Sequence, residues 1–163
     1  MNFEFTGESR IVFGITLKRI KALVSFGMVA KGEVGGWIEK EDNLTGDAWV
    51  SGGAHVFGGA HVSGDAQVFG NAWVSGDARV FGNAWEISPL FINLTKWSLS
   101  VSSKTTITIG CNTYTVTEWE EKADNFAWQE RMTVNEITEY KLAIQYAKQW
   151  MAIYLLQEKK ETT

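Results

Sequence analysis

A six-residue phrase recurs seven times between Gly46 and Ile87, and it constrains the fold more than any other feature of the chain. Each copy begins with Gly, continues with Asp, Asn or Gly, and in all but the last copy places Ala two residues before Val. Because side chains alternate along a strand, Ala and Val share one side and the residue between them lies on the other. Strands this short bury little alone, so neighbouring copies must stack around a shared apolar interior. The copies read GDAWVS, GGAHVF, GGAHVS, GDAQVF, GNAWVS, GDARVF and GNAWEI.

The Val spacing also extends backwards, because Ile38 and Leu44 fall on it. With its glycine corners, the repeat resembles the left-handed parallel β-helix of hexapeptide-repeat proteins. That resemblance implies a mainly β fold in which three hexads form one triangular coil, residues eighteen apart stack, and about three coils span residues 35–88. At the far end Glu86 takes the inward Val position and Pro89 removes a strand donor, so a buried carboxylate and a proline are predicted to stop the stacking.

A spacing of eighteen divides the outward side chains into three faces. The third face is the more polar one and carries Asn43, His61 and Arg79. Contiguous apolar patches usually mark contact surfaces, so we expect one aromatic face to be covered by the chain's own flanks and another by a partner or sister subunit. The predicted binding residues of the aromatic faces are Trp37, Trp49, His55, Phe57, Phe69, Trp73 and Trp85.

The repeat is flanked by three further segments. Residues 1–34 are predicted as an N-terminal β cap, with a turn at TGES after Phe3 and Phe5, and residues 89–116 as a second β cap. Residues 117–163 have helical periodicity. TEWE and TVNE in this segment each match a capping box, which predicts two helices over about 118–131 and 134–159.

The second predicted helix contains a seam of apolar residues at alternating spacings of three and four, from Ile137 to Tyr154. The run from Trp150 to Leu156 has no charge, and a helix that is apolar all round is expected to be buried on every side. One stripe would pack on the chain itself and the other on a second chain, in a homodimer or homotrimer. The predicted oligomer interface comprises Ile144, Met151, Tyr154 and Leu155.

Composition narrows the class of partner. The net charge is -4 and there is no dense basic patch, so nucleic acid is an unexpected ligand. The sequence has no membrane-spanning apolar run, and its one cysteine agrees with a reducing compartment, which predicts a cytoplasmic location. That cysteine, Cys111, is interpreted as a small buried hydrophobe. No cofactor, metal or catalytic residue is predicted.

Two alternatives to a binding function stay open. Hexapeptide-repeat acyltransferases resemble this chain in their repeat and use a histidine as general base, a role for which only His55 or His61 is available. These two histidines fall on different faces. The second alternative is a sponge for a small nucleotide messenger between subunits, with aromatic rings for the base and Arg79 or Lys96 for phosphate.

A closer resemblance covers most of the chain. GGWIEKEDNLTGDAWVSG, the run GDAQVFGNAWVSGDARVFGNA, and the later IGC followed by Glu118 and Trp119 resemble a group of bacteriophage and prophage proteins. The resemblance implies a phage-type accessory binding protein, non-enzymatic and homo-oligomeric, that binds and inhibits a bacterial host or antiphage-defence component. It also implies that the cytoplasm is that of a bacterial host cell. No residue role is carried over from that group.

Overall fold

The computed structural model describes residues 1–82 and 84–155, and the chain divides into two compact units, Met1–Pro89 and Leu90–Thr163. The described part is mainly β with two C-terminal helices, which confirms the predicted fold class at this coarse level. The strands of the first unit are β1 (Phe3–Val12), β2 (Ile15–Ala22), β3 (Val34–Ile38), β4 (Trp49–Val50), β5 (His55–Val56), β6 (His61–Ser63), β7 (Gln67–Val68), β8 (Trp73–Val74), β9 (Arg79–Phe81) and β10 (Ala84–Trp85).

The repeat strands pair in parallel and form short sheets. β3 pairs with β5 and β5 with β8, so that Trp37, His55 and Trp73 stand side by side, each eighteen residues from the next. β4 pairs with β7 and β6 with β9 at the same spacing. The predicted stacking of residues eighteen apart is therefore confirmed for these strands, each of which pairs over only two or three residues.

The alternation of the hexads determines which side chains are buried. The Ala and Val positions from Ala48 to Val80 are buried, and Ile38 and Leu44 are buried on the same register, as predicted. The first Gly of each copy has a positive φ, from 57° at Gly82 to 70° at Gly58, a conformation that glycine adopts without a Cβ penalty. Glycine therefore forms each corner between neighbouring short strands.

Asn43 is buried, which corrects the expectation that it points outward. It ends a 3₁₀ turn, Glu41–Asn43, and does not lie in a strand, so strand alternation does not apply to it. Its side-chain Nδ2 donates to the Ala60 carbonyl at 2.8 Å, and its Oδ1 accepts from the Lys40 amide at 3.0 Å. These bonds satisfy a polar side chain inside the unit.

The end of the repeat is built differently from the prediction. β10 pairs with β7 so that Trp85 stands beside Val68, a spacing of seventeen instead of eighteen. A slip of one residue exchanges the two sides of a strand, so Trp85 is buried and Glu86 is exposed. The prediction that the Glu86 carboxylate is buried is therefore wrong. Burial of an unpaired charge costs far more free energy than burial of the Trp85 indole. The indole Nε1 donates to the Gly82 carbonyl at 3.1 Å.

The N-terminal hairpin also departs from the prediction. β1 runs straight through the TGES segment, where its pairing with β2 shifts register between Phe5 and Ser9, and the chain turns at Phe13 and Gly14. The predicted turn at TGES is therefore an irregularity within a strand. β2 then adds to β3 in antiparallel fashion, with Arg19 beside Trp37.

The second unit is an antiparallel sheet followed by two helices. Trp119, in the first helix, is fully buried and donates from Nε1 to the Ile107 carbonyl at 2.8 Å, and the buried Tyr140 in the second helix donates to the Trp97 carbonyl at 2.8 Å. The elements are β11 (Phe91–Ile92), β12 (Leu99–Val101), β13 (Thr106–Ile109), β14 (Asn112–Thr115), α1 (Val116–Gln129) and α2 (Val134–Tyr154), with the strands in the order β11-β12-β13-β14.

The two helices test the predicted capping boxes. α2 begins at TVNE as predicted, with Thr133 as its N-cap. α1 begins two residues earlier than expected, because its N-cap is Thr115, and Thr117 lies inside the helix. The predicted end of α2 at 159 lies outside the described residues.

Candidate functional site

Arg10 lies at the centre of an aromatic cluster on the Trp37 face. β1 carries Arg10 beside Leu17 of β2, and β2 in turn lies beside β3, which carries Trp37. The Arg10 guanidinium lies 3.7 Å from the centre of the Trp37 ring, and its Nη1 is 3.1 Å from Nε2 of His55. The His55 ring in turn lies 5.1 Å from that of Trp73. This arrangement joins the hairpin to the repeat by a cation–π contact and a hydrogen bond.

The partners of His55 determine its protonation state. An arginine only donates, so His55 Nε2 must accept and the ring proton of the neutral form sits on Nδ1. His55 is only 6% exposed, and Nδ1 has no hydrogen-bond partner among the described residues. Burial, and secondarily the Arg10 charge, lower the pKa of His55. The ring is therefore a neutral structural acceptor for Arg10.

The hairpin covers the aromatic face that contains this cluster. Leu17 packs with Trp37 and Phe57, and Val12 and Ile15 pack against the same group. The second aromatic face is covered as well, since Trp49 is buried with the Phe26 ring edge-on at 5.7 Å. Burial thus removes five of the seven predicted binding side chains from the surface, and Phe69 and Trp73 stay partly exposed. The five buried ones are Trp37, Trp49, His55, Phe57 and Trp85.

Exposed apolar side chains occur instead at the tip of the hairpin, which we define as Ile11 and Phe13. Phe13 is 80% exposed and has a φ of +51°, an unusual conformation for a bulky residue. Its ring lies edge-on to Trp73 at 5.4 Å, and Ile11 is also exposed. Sequence reasoning missed this surface, although Phe13-Gly14 between two alternating segments was a usable turn signal.

The β1–β2 hairpin carries four cations, Arg10, Lys18, Arg19 and Lys21. Two carboxylates of β1 already pair with cations of β2, Glu8 with Arg19 at 3.1 Å and Glu4 with Lys21 at 2.8 Å. In the described part of the chain, the structure gives neither Arg10 nor Lys18 a carboxylate partner. Lys18 instead lies 4.9 Å from the centre of the Phe5 ring.

His61 is engaged at both ring nitrogens. Nδ1 lies 2.9 Å from the Asp42 carbonyl and Nε2 lies 3.1 Å from the Thr45 hydroxyl. It stands on β6, whereas His55 stands on β5, and the structure does not bring the two rings into one site. His55 Nε2 accepts from Arg10 and its unpartnered Nδ1 is buried, and both nitrogens of His61 are hydrogen-bonded, so this arrangement does not favour the general-base role of the acyl-transfer alternative.

The two candidate phosphate contacts lie in different units. Arg79 is exposed on β9 beside His61 of the neighbouring strand. Lys96, in the second unit, donates from Nζ to the Glu130 carbonyl and lies 4.5 Å from the centre of the Trp97 ring. Within the ranges that the structure describes, no three His, Cys, Asp or Glu side chains are placed to hold a metal ion.

Cys111 is exposed, which corrects the expectation of a buried hydrophobe. It follows Gly110, whose φ of +59° marks the tight turn between β13 and β14. A residue at the outer end of such a turn has no core to enter. Its Sγ lies 3.8 Å from Nδ2 of Asn112.

The structure buries two of the four residues of the predicted oligomer interface and leaves the other two at least partly exposed. Ile144 and Met151 are buried inside the second unit, where the predicted seam packs, whereas Tyr154 is exposed and Leu155 is partly exposed. In the single chain Ile153 is also exposed, so the chain itself covers only one stripe at the end of α2. Burial of the other stripe by a second chain stays a prediction. The opposite face of α2, which carries Ile144 and Met151, packs inside the second unit.

Neither of the two described helices is both long enough and apolar enough to cross a membrane. A scan of the chain against protein-family models finds no match, and no curated protein matches it.

Proposed function

We propose that the chain is a non-enzymatic binding protein that holds a protein partner through its hairpin tip, and that residues 35–88 form a short left-handed β-helix supporting the hairpin. The parallel pairs eighteen residues apart and the repeated glycine corners support the helix. The handedness follows from the resemblance to hexapeptide-repeat proteins.

Phe13 is the observation that carries the proposed binding function. A left-handed conformation at a non-glycine residue costs about 1–3 kcal/mol, and such residues cluster at functional sites. Burial within the chain does not offset this cost, since the ring is mostly exposed. Contact with a partner would offset it, and rigid exposed aromatic residues are typical anchors of protein interfaces.

The charge of the hairpin indicates the chemistry of the partner. Lys18 is exposed on β2 and lacks a carboxylate partner in the described residues, so a partner with an apolar socket for Phe13 and an acidic side chain for Lys18 would complement the hairpin. The resemblance to phage and prophage proteins supports a bacterial host or antiphage-defence protein as that partner. Binding would then inhibit the target by occupying its surface.

A site-specific crosslink tests this proposal. A photo-crosslinking phenylalanine analogue replaces Phe13 in one variant and Met28 in a control, because Met28 is exposed on a loop of the same unit. We expect a crosslinked bacterial protein from position 13 only. The purified partner should then bind Phe13→Asp about tenfold or more weaker than the wild type, whereas Met28→Asp should bind normally. Equal crosslinking at both positions, or unchanged affinity of Phe13→Asp, would overturn the proposal.

A further inference from the structure

We propose that a second copy of this chain packs on the outer face of α2, antiparallel to it about a two-fold axis. The contact surface is the outer stripe, which we define as Leu142, Tyr146, Gln149 and Ile153. It is distinct from the seam identified in the sequence, which the chain itself buries from Tyr140 to Met151.

The geometry of α2 places two stripes on opposite sides. The buried residues Tyr140, Ile144, Ala147 and Met151 recur at spacings of four, three and four, and the outer stripe repeats the same spacings two residues later. Two residues correspond to about 200° of helix rotation, so the outer stripe faces away from the core. A spacing of four, three and four is that of the a and d positions of a coiled coil.

The outer stripe exposes three large apolar side chains to solvent. Leu142 is 62% exposed, Tyr146 is 55% exposed and Ile153 is 54% exposed. Tyr154 extends the patch, with its ring 5.2 Å from that of the partly buried Trp150. A contiguous exposed patch of this kind marks an interaction surface.

The absence of charge on the outer stripe favours a copy of itself as the occupant. The lysines next to the stripe in sequence form ion pairs with α1: Lys141 with Asp124 at 2.6 Å and Lys148 with Glu120 at 2.7 Å. Two copies of a neutral stripe can therefore meet without like-charge repulsion. A two-fold interface requires a self-complementary patch, which this stripe provides.

The order of the four residues favours the antiparallel orientation. Leu142 then faces Ile153 of the second copy, and Tyr146 faces Gln149, whose side-chain amide can bond the tyrosine hydroxyl. A parallel pair would instead set each Tyr146 against its own copy and align the helix dipoles. Because the outer stripe spans only about three helical turns, we expect a concentration-dependent dimer with a dissociation constant on the order of micromolar.

Sedimentation equilibrium of the full chain, with a monomer mass of 18.2 kDa, tests the inference. Leu142→Lys and Ile153→Glu each place a charge against an apolar residue, and each should weaken the dimer about tenfold or more. In an antiparallel pair the double variant sets the introduced lysine of one copy against the introduced glutamate of the other, so dimerisation should return. Val134→Lys changes an exposed residue of the same helix outside the stripe and should dimerise like the wild type. Circular dichroism confirms that each variant is folded.

Three outcomes would overturn the inference. A wild-type protein that stays monomeric at the highest concentration rejects the self-interface, and so do single variants that dimerise like the wild type. Failure of the double variant to recover rejects the antiparallel orientation. The test is independent of the proposed function, because partner capture by Phe13 is measured on the other unit.

Discussion

At the residue scale, His55 shows how neighbours define the chemistry of a side chain. In the sequence it is one of two histidines at equivalent hexad positions. In the structure it is buried, with Arg10 donating to Nε2, while His61 bonds to a carbonyl and a hydroxyl. The charged group that contacts His55 is Arg10, and Arg10 in turn feels the charge of Arg19, which is paired with Glu8.

This environment predicts a pH dependence of stability. Since the folded pKa of His55 is lowered from 6.5, the unfolded chain binds the proton more readily. The contribution of His55 is therefore complete above pH 6.5 and is lost as the pH falls from 6.5 through the lower folded pKa. His55→Gln keeps an acceptor for Arg10 and cannot titrate.

Urea unfolding of both proteins between about pH 5 and pH 8 measures this difference. The stability of the wild type relative to His55→Gln should decrease on acidification below pH 6.5. A difference that is constant across this range would contradict the prediction.

Gly35 predicts a second effect at the residue scale. A Cβ there would lie 2.6 Å from the Val50 carbonyl oxygen, 2.7 Å from Cγ1 of Ile20 and 2.8 Å from Cζ2 of Trp49. The carbonyl belongs to the backbone and cannot rotate away, so Gly35→Ala should lower the free energy of unfolding by about 1–3 kcal/mol. Thermal and urea denaturation measure this loss.

Gly53→Ala is the matched control. Its Cβ would lie 2.7 Å from Asn71 Oδ1, a side-chain atom that can move, so the loss should be smaller than for Gly35→Ala. Equal losses for the two variants would contradict the argument.

At the scale of the elements, α1 shows why a capping motif does not fix a helix start. Thr115 and Thr117 each stand at a position where a capping box could begin, since glutamates follow three residues later at Glu118 and Glu120. The structure uses Thr115, whose Oγ1 accepts from the Glu118 amide at 3.2 Å while the Glu118 carboxylate accepts from the Thr115 amide at 2.9 Å. These hydrogen bonds also lower the pKa of Glu118.

Alanine substitution distinguishes the two threonines. Thr115→Ala removes the N-cap and should lower the free energy of unfolding by about 1 kcal/mol. Thr117→Ala changes an exposed residue inside the helix and should have a clearly smaller effect. Chemical denaturation of the two variants measures both, and a larger loss for Thr117→Ala would support the cap inferred from sequence.

At the scale of the whole molecule, the two compact units predict two separate regions of protection. Trp85 closes the interior of the first unit, so Trp85→Ala should cost about 3–5 kcal/mol there. The N-cap at Thr115 stabilises the second unit. Hydrogen exchange read by mass spectrometry should therefore speed up within residues 1–89 for Trp85→Ala and within residues 90–155 for Thr115→Ala. Acceleration of both regions by Trp85→Ala would show a single cooperative unit.

The sequence by itself determined the local periodic features of this protein. The hexad fixes which side chains are buried, from Ala48 to Val80, because strand alternation depends only on neighbouring residues. It also predicted the two helices and the cap at Thr133, which follow from short-range geometry. The stacking at eighteen residues was implied by the resemblance to hexapeptide-repeat proteins.

The tertiary structure alone decided what covers each outward side chain. Trp49 and Phe13 are both aromatic residues beside a glycine-rich turn, yet the first is buried and the second is exposed. Phe26, in the segment after the hairpin, lies against Trp49, whereas the turn of the hairpin leaves Phe13 exposed. The same hairpin brings Arg10 to Trp37, 27 residues away in sequence, and to His55, 45 residues away. Long-range contacts also decide two other features. One is the register slip that buries Trp85, and the other is the burial of Ile144 inside the second unit. Each depends on long-range packing and on the cost of burying charge, which no repeat or spacing encodes.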